Sequence, residues 1–349
     1  MMLAWFHTLD PIIWKISGDI AVRWYGVSYI LGFIVAYMVM RRLARRGFTP
    51  LTPQFLFDAL TWLVLGLIVG GRMGYVLIYK RELLWTFTDH APFWGVLMLN
   101  NGGMASHGGM IGVIIACILL SRKMRGAPEQ PSILNMFDVC ALACTPGLGF
   151  GRIANFINGE LLGKIVAPPG EKGPWWSVQY PQELIDGQAP QLTAEQGDAL
   201  VKICAQYAPG LSIDRACERL INMLHTSGIT RDELVAKLSP LISHRHPSQL
   251  YQCFAESIVL GGILWLIWRR PRKPGVIAAW FMIVYGIGRI ITEFWRLPDA
   301  DLAVQRMIGF SRGQWLSVLM ILVGSVLLTV CSRRNVAKIG GGGTTVANS

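Results

Sequence analysis

Long apolar segments constrain this chain more than any other feature of its sequence. A helix needs roughly 20 apolar residues to cross a bilayer core of about 30 Å. With 52% hydrophobic and only 15% charged residues, the chain is also more apolar than an ordinary soluble domain. The predicted spans lie near 19–40, 57–79, 92–120, 135–151, 250–268, 276–295 and 314–331. The sequence therefore predicts an all-α polytopic membrane protein with about seven transmembrane helices.

The positions of the basic residues predict the orientation in the membrane. Short cytoplasmic loops collect Lys and Arg, and four basic clusters follow alternate predicted spans. The clusters are Arg41, Arg42, Arg45 and Arg46; Arg122, Lys123 and Arg125; Arg269, Arg270, Arg272 and Lys273; and Arg333, Arg334 and Lys338. We therefore expect an outside N-terminus and an inside C-terminus in a bacterial inner membrane. The net charge of +11 has this topological origin and does not indicate a nucleic-acid partner, because no basic patch is interleaved with aromatic residues.

A large polar segment, 164–249, interrupts the predicted spans, and the alternation of loops places it in the periplasm as a head segment. Helical periodicity is found in it at 194–206, 213–225 and 230–239. Cys204 and Cys217 both lie there, where disulfides can persist, and we predict that they form one. The predicted organisation is 1–163 with spans one to four, 164–249 as the head, 250–333 with spans five to seven, and 334–349 as a disordered cytoplasmic tail.

Polar side chains collect in the outer halves or at the outer ends of the predicted spans, with His107 near mid-depth in the third. Ionisable groups in a membrane are costly, so each is a functional-site hypothesis by default. The predicted site residues are Tyr25, Arg72, His107, Arg152, Asn155, Glu160, Tyr285, Arg289, Glu293 and Arg296. In the sixth span, Tyr285, Arg289, Glu293 and Arg296 share one helical stripe. An intrahelical salt-bridge ladder at the interface is the alternative interpretation of that stripe.

The segment GRIANFINGELLG, at 151–163, places Arg152 and Asn155 on one helical face and Glu160 at the exit from the membrane. A guanidinium held at this position has the planar fork that binds a phosphate with two hydrogen bonds. In the alternative interpretation, Asn155 and Asn158 only cap the helix end.

The segment GGMASHGGMIG, at 102–112, is rich in glycine around His107. Each interior glycine costs a helix about 1 kcal/mol relative to alanine, and irregular backbone at membrane depth must be buried or line a wet cavity. His107 is therefore a candidate catalytic residue. The alternative is that the glycines allow helices to approach closely and that His107 is structural.

Motifs of nucleotide, zinc and serine-hydrolase chemistry are absent from the sequence. We expect no metal and no cofactor, and an anionic phospholipid headgroup as the ligand. A transporter or channel is a competing hypothesis, but it predicts an internal repeat and charges at the midplane. A seven-span receptor is another, but it needs a larger cytoplasmic surface than these short basic loops supply.

Seven motifs resemble the family of phosphatidylglycerol-prolipoprotein diacylglyceryl transferases. They are RWYGVSY at 23–29, GGRMGYVL at 70–77, GGMASHGGMIG at 102–112, GRIANFINGELLG at 151–163, RHPSQLY at 245–251, YGIGRIITEFWRLPD at 285–299 and GQWLS at 313–317. Two features depart from the family pattern: Gln252 stands where the family commonly has Glu, and the segment 166–244 is longer than in many members.

The resemblance implies transfer of a diacylglyceryl group from phosphatidylglycerol, a membrane lipid, to the lipobox cysteine of prolipoprotein signal peptides. By resemblance, Arg152 and Arg289 hold the phosphate, and His107 is the base that removes the thiol proton. The remaining residues are expected to bind substrate: Asn155 and Glu160 orient the headgroup, Arg296 acts through Glu293, Tyr25 and Tyr285 contribute hydroxyls, and Arg72 is a further contact.

Overall fold

Two compact units make up the chain in a computed structural model that describes residues 4–17, 20–89, 92–98, 102–124, 131–187, 189–297 and 312–341. The first unit comprises Met1–Ser28, Leu148–Ser257 and Tyr285–Leu319. The second comprises Tyr29–Gly147, Ile258–Val284 and Met320–Ser349. Each unit is therefore assembled from stretches that are distant in sequence.

Helices dominate both units. They are α1 (Trp24–Arg45), α2 (Pro53–Ile78), α3 (Ser106–Lys123), α4 (Ile133–Ala143), α5 (Thr145–Asn158), α6 (Ala194–Tyr207), α7 (Ile213–Leu224), α8 (Ile229–Leu238), α9 (Ser248–Cys253), α10 (Leu260–Trp268), α11 (Val276–Thr292) and α12 (Arg312–Arg333). A π-helical turn, Phe254–Val259, joins α9 to α10.

Five helical stretches within the described residues are long and apolar enough to cross a membrane. They are Trp24–Arg45, Phe55–Ile78, Ile133–Asn158, Ser248–Trp268 and Gly313–Arg333. The prediction of a mostly helical, multi-pass membrane protein is confirmed, whereas the count of seven stays a prediction.

The remaining two predicted spans are shorter than expected. The span predicted at 92–120 begins as a helix only at Ser106, because a short 3-10 turn at Gly95–Leu97 and two glycines with positive φ precede it. The span predicted at 276–295 ends at Thr292. Residues 342–349 of the predicted disordered tail lie outside the described residues, whereas Ile339 pairs with Arg272 through the backbone.

In the second unit, glycines set the distance between α2 and α3. A Cβ added at Gly70 would overlap the carbonyl oxygen of Gly108, and one added at Gly112 would overlap that of Gly66. The segment 106–112 is regular helix, so the cost of its glycines is offset by close backbone packing. Close helix packing therefore explains the glycines in the helical part of GGMASHGGMIG, which begins at Ser106.

Asp138 on α4 determines where α11 begins. Its Oδ2 accepts a hydrogen bond from the backbone N–H of Gly275 at 2.7 Å, and Oδ1 accepts one from Ala278 at 2.8 Å. The first N–H groups of a helix lack partners within the helix, and this buried carboxylate supplies them from a neighbouring helix. The cap matters for function because α11 carries Tyr285 and Arg289.

The segment 164–249 of the first unit combines a helical cluster with a small sheet that also includes a strand from the N-terminal part of the chain. The sheet has strand order β1 (Trp5–Phe6), β5 (Val178–Gln179), β6 (His244–Arg245) and β4 (Ile165–Ala167). An antiparallel hairpin, β2 (Ile12–Ser17) and β3 (Ile20–Arg23), precedes α1. Helices α6, α7 and α8 follow the predicted periodic segments to within one or two residues.

The predicted disulfide of the head segment is not formed in the structure. Cys204 and Cys217 are free thiols in the apolar core of the α6–α8 cluster. Burial raises the pKa of Cys217 to about 12, which disfavours the thiolate that disulfide exchange requires. Both cysteines thus act as small apolar core residues.

A buried ion pair within the 164–249 segment holds an arginine that also binds the chain following α5. Arg245 Nε donates to Glu183 Oε2 at 2.5 Å, and both side chains are fully buried. Glu183 also accepts from the backbone N–H of Ser243 at 2.7 Å, while Arg245 Nη1 donates to the carbonyl of Gly163 at 3.1 Å. Because Gly163 closes the GRIANFINGELLG motif, this pair fixes the chain next to the polar end of α5.

Replacing Glu183 with Gln tests this buried pair. Glu183→Gln leaves the Arg245 charge buried without a carboxylate, and breaking a buried pair in this way costs about 3–5 kcal/mol. We expect a clear drop in thermal unfolding temperature in detergent. Asp232→Asn, which alters the exposed Arg231–Asp232 pair, is the control and should change the unfolding temperature little. Equal effects of the two substitutions would contradict the role of the buried pair.

Candidate functional site

A bidentate ion pair between two of the membrane-length helical stretches, Ile133–Asn158 and Ser248–Trp268, forms the centre of the polar site in the first unit. Arg152 on α5 donates from Nε to Glu256 Oε2 at 2.8 Å and from Nη2 to Oε1 at 3.0 Å. The Glu256 side chain is 1% exposed and that of Arg152 is 16% exposed. Tyr285 on α11 shares a hydrogen bond with Arg152. Three helical segments thus contribute to this arrangement.

Glu256 lies in the π-helical turn between α9 and α10, a type of turn that is often found at functional sites. Its neighbour Ser257 packs directly against Gly149 of α5, where an added Cβ would come within 2.7 Å of the serine side chain. The sequence analysis missed Glu256. The signal was present, since Glu256 is the one acidic residue in the predicted span 250–268.

Glu160, at the end of α5, collects a second group of polar side chains. Its Oε2 accepts from the Tyr25 hydroxyl at 3.1 Å and from Asn155 Nδ2 at 3.3 Å, and its Oε1 accepts from Asn158 Nδ2 at 3.0 Å. Asn155 also donates to the Tyr25 hydroxyl. The amides therefore bind a side-chain carboxylate and a phenol, which is more than helix capping requires. Glu160 itself is exposed and accessible to a ligand.

The polar stripe of α11 forms only a loose salt-bridge ladder. Glu293 Oε2 lies 3.5 Å from Arg289 Nη2 and 4.0 Å from Arg296 Nη1. The sequence predicts that Glu293 and Arg296 continue the helix. Because α11 ends at Thr292, both residues instead lie in the chain beyond it. Arg289 Nη1 is buried and has no hydrogen-bond partner among the described residues. The ladder therefore leaves part of the Arg289 guanidinium unused.

Arg72 lies in the second unit and has a structural role. Its guanidinium carries five N–H donors, and each is directed at a backbone carbonyl. The acceptors are Gly95 at 2.8 Å, Val96 at 2.7 Å, Met98 at 3.1 Å, Gly102 at 2.6 Å and Gly103 at 3.0 Å. These contacts anchor the loop and take up the five donors of the guanidinium. A substrate contact at Arg72 stays a prediction.

His107 lies in the first turn of α3, also in the second unit, and is exposed. The other predicted site residues, Arg72 excepted, belong to the first unit. Catalysis by His107 stays a prediction. The absence of a metal requirement also stays a prediction. Among the described residues, no group of three or more His, Cys, Asp or Glu side chains is suited to hold a metal ion.

His7, which the sequence analysis did not single out, supports the polar end of α5. Its Nε2 lies 2.8 Å from the carbonyl oxygen of Phe156, and Nδ1 lies 3.3 Å from Gln182 Nε2. These distances fit a neutral imidazole that donates to Phe156 and accepts from Gln182. Burial lowers the pKa of His7 from 6.5 to about 4, which keeps the ring neutral at physiological pH.

Comparison with known proteins identifies the family. The model of the prolipoprotein diacylglyceryl transferase family matches residues 11–330. The chain therefore belongs to this family. Among its relatives, the phosphatidylglycerol–prolipoprotein diacylglyceryl transferase of Bdellovibrio bacteriovorus is 40% identical over 96% of both chains. The equally named protein of Neisseria gonorrhoeae is 38% identical over 92% of this chain and 95% of the relative.

A third transferase of the same name, from Paraburkholderia phymatum, is 36% identical over 93% of this chain and 94% of its own length. The resemblance that the sequence motifs indicated is thus confirmed. Membership in a transferase family also sets aside the competing transporter and receptor hypotheses.

The low pKa of His7 predicts a pH-dependent contribution to the stability of this diacylglyceryl transferase family member. Between about pH 4 and 6.5 the unfolded chain binds a proton at His7 that the folded chain does not, so stability rises with pH in that window. The contribution is fully present above pH 6.5 and lost as the pH falls toward 4, and its size is about 3 kcal/mol.

Thermal unfolding in detergent between pH 4.5 and 7.5 measures this contribution. His7→Gln keeps hydrogen-bonding capacity but cannot titrate, so its unfolding temperature should vary less with pH than that of the wild type. Identical pH profiles for the two proteins would refute a buried neutral His7.

Proposed function

We propose that this chain transfers the sn-1,2-diacylglyceryl group from phosphatidylglycerol to the lipobox cysteine thiol of prolipoproteins. This reaction forms a thioether, releases glycerol phosphate and begins lipoprotein maturation. The match of residues 11–330 to the transferase family carries the proposal. The polar cluster around Arg152 and Arg289 supplies the chemistry that the reaction needs.

The reaction places negative charge on a phosphate. The cysteine sulfur attacks the glycerol carbon that bears the phosphate, a C–S bond forms, and the C–O bond breaks. The phosphate oxygen leaves with the bonding electrons, and the thiol proton passes to a base. Donors that are already oriented toward this oxygen stabilise the transition state without reorganisation, and arginine is suited to this task because its fork matches phosphate geometry.

The two arginines are suited to different parts of this task. Glu256 occupies the Nε–Nη2 edge of Arg152, which fixes the orientation of that guanidinium and neutralises its charge. Arg289 Nη2 lies 3.5 Å from Glu293, and the buried Nη1 has no partner among the residues that the structure describes. A buried unsatisfied donor costs about 1–3 kcal/mol, and binding of the lipid phosphate would recover that free energy. Arg289 is therefore the principal phosphate ligand in this proposal, and Arg152 orients the headgroup with Asn155 and Glu160.

The proposed location is the inner membrane of a bacterium. Seven spans, an outside N-terminus and an inside C-terminus follow from the alternation of the basic clusters. The site then opens toward the periplasm, where the 164–249 head segment also lies. Phosphatidylglycerol would come from the surrounding membrane lipid, and the second substrate would be the signal peptide of a prolipoprotein.

An assay with purified components tests the proposed function. The protein in detergent is incubated with phosphatidylglycerol and a lipobox peptide, and mass spectrometry follows the diacylglyceryl thioether and the released glycerol phosphate. We expect both products, with activity retained in EDTA, and none from a peptide in which Ser replaces the lipobox cysteine. A correctly folded protein that forms neither product would refute the proposal.

Substitution of the two arginines separates charge from geometry. Arg152→Ala and Arg289→Ala each remove charge-assisted hydrogen bonds of about 1.5–3 kcal/mol, so activity should fall at least about tenfold. Lys at either position should restore little activity, because an ammonium keeps the charge and loses the planar fork. Arg231→Ala, at a half-buried position of α8 outside the polar site, is the control. Full activity of the Lys variants would show that charge alone is sufficient.

His107 has a separable role in the proposed mechanism. A cysteine thiol with a pKa of about 8.5 is mostly protonated at neutral pH, so removal of a base slows formation of the thiolate. We expect His107→Gln to retain binding of phosphatidylglycerol while transfer slows, with partial recovery as the pH approaches 8.5. His225→Gln is the control. Loss of lipid binding without recovery at high pH would instead make His107 a ligand or a packing residue.

A further inference from the structure

Gln252 is a fully buried amide whose hydrogen-bonding groups are both unused. The side chain is 0% exposed, and neither Nε2 nor Oε1 has a hydrogen-bond partner among the described residues. A buried amide without partners costs free energy comparable to lost hydrogen bonds, so such groups are expected to meet a ligand or an ordered water.

The position of Gln252 places it in the polar site. Buried residues recur along this part of the chain at Gln249, Gln252 and Glu256, whereas Leu250 and Phe254 are exposed. One side of α9 and the following π-helical turn is therefore buried, and Gln252 belongs to it.

Both neighbours of Gln252 on this buried side bind the α5 motif. Gln249 Nε2 donates to the carbonyl oxygen of Glu160 at 2.5 Å, and Glu256 binds Arg152. Gln252 lies between these two anchors, about 4–6 Å along the helix axis from each. Its position between these anchors places it at the level of the α5 motif between Arg152 and Glu160.

The chemistry of an amide specifies the ligand group. Nε2 only donates and Oε1 only accepts, so one ligand group that satisfies both atoms must both accept and donate a hydrogen bond. Phosphate oxygens of a phosphodiester only accept, and an ammonium only donates. A hydroxyl does both. Glutamate at the same position could only accept from such a group while ionised.

We propose that Gln252 binds a hydroxyl of the glycerol headgroup of the lipid substrate and thereby selects phosphatidylglycerol over phosphate lipids that lack headgroup hydroxyls. This inference rests on the proposed function and assigns a residue to headgroup selection. Arg289 then recognises the charge of the phosphate, and Gln252 recognises the alcohol attached to it. The released glycerol phosphate carries the same hydroxyls, so the test must separate the lipid from this product.

The test compares three ligands in detergent micelles. Phosphatidylglycerol is the substrate, phosphatidic acid is tested as a competitor that has the phosphate without the headgroup, and glycerol phosphate is tested as the product. Gln252→Met keeps the length of the side chain and removes its hydrogen bonds, and Gln252→Glu retains acceptors only. Gln206→Met, at an exposed position of α6, is the matched control.

We expect Gln252→Met to raise KM for phosphatidylglycerol about tenfold, because the hydroxyl is left unpaired in a buried site, with kcat changed less than about threefold. The inhibition constant of phosphatidic acid should stay within about twofold. Gln252→Glu should give a smaller rise in KM than Gln252→Met, and Gln206→Met should resemble the wild type. Unchanged phosphatidic acid inhibition also verifies that each variant is folded.

Three results would overturn the inference. Equal weakening of phosphatidylglycerol and phosphatidic acid would make Gln252 a packing residue of the phosphate site. Unchanged values for both lipids would mean that the amide is satisfied by water. Weaker inhibition by glycerol phosphate alone would assign the contact to the product. Failure of the proposed function is distinct, since it appears as a wild-type protein that binds phosphatidylglycerol and forms no thioether.

Discussion

The ion pair between Arg152 and Glu256 is the interaction on which the rest of the site depends. An isolated charge is costly in a membrane, and the carboxylate allows a guanidinium to remain charged there. Because the two hydrogen bonds are 2.8 and 3.0 Å long, they also fix the plane of the guanidinium. The pair joins α5 to the π-helical turn after α9, and the neighbouring contact of Gly149 with Ser257 requires a residue without a side chain. Close packing and an ion pair thus both join α5 to the π-helical turn.

The proposed binding of the substrate also rests on buried polar atoms that have no hydrogen-bond partner among the described residues. Arg289 Nη1 and both amide atoms of Gln252 are buried and unsatisfied within the described residues. One site offers a cation and the other offers a donor and an acceptor, which together match a phosphate that carries a hydroxylated alcohol. In the proposed complex, binding of the lipid would recover the free energy that these unsatisfied groups cost. By contrast, Arg72 has all five donors engaged by backbone carbonyls.

Much of this arrangement could be predicted from the sequence, because membrane chemistry leaves few alternatives for apolar segments. Hydropathy predicted the long helices α1, α2 and α12, and the cost of intramembrane charge singled out Arg152 and Arg289. Periodicity also predicted α6, α7 and α8 of the polar segment.

Partners that are distant in sequence could not be predicted in the same way. Glu256 lies 104 residues from Arg152, and no local pattern pairs them. The early end of α11 at Thr292 and the anchoring of Arg72 by carbonyls likewise depend on tertiary contacts. Gln252 could be singled out in the sequence, but its proposed role depended on finding that both amide atoms are buried without partners in the described part of the chain.

A double-mutant cycle on transfer activity tests most directly whether the site depends on the Arg152–Glu256 pair. The rates of the wild type, Arg152→Gln, Glu256→Gln and the double variant are compared under identical conditions with phosphatidylglycerol and a lipobox peptide. If Glu256 acts by orienting Arg152, the double variant should be scarcely worse than Arg152→Gln, with a coupling free energy above about 1 kcal/mol. Losses that add within about 0.5 kcal/mol would show that the two residues act independently and would contradict this account of the site.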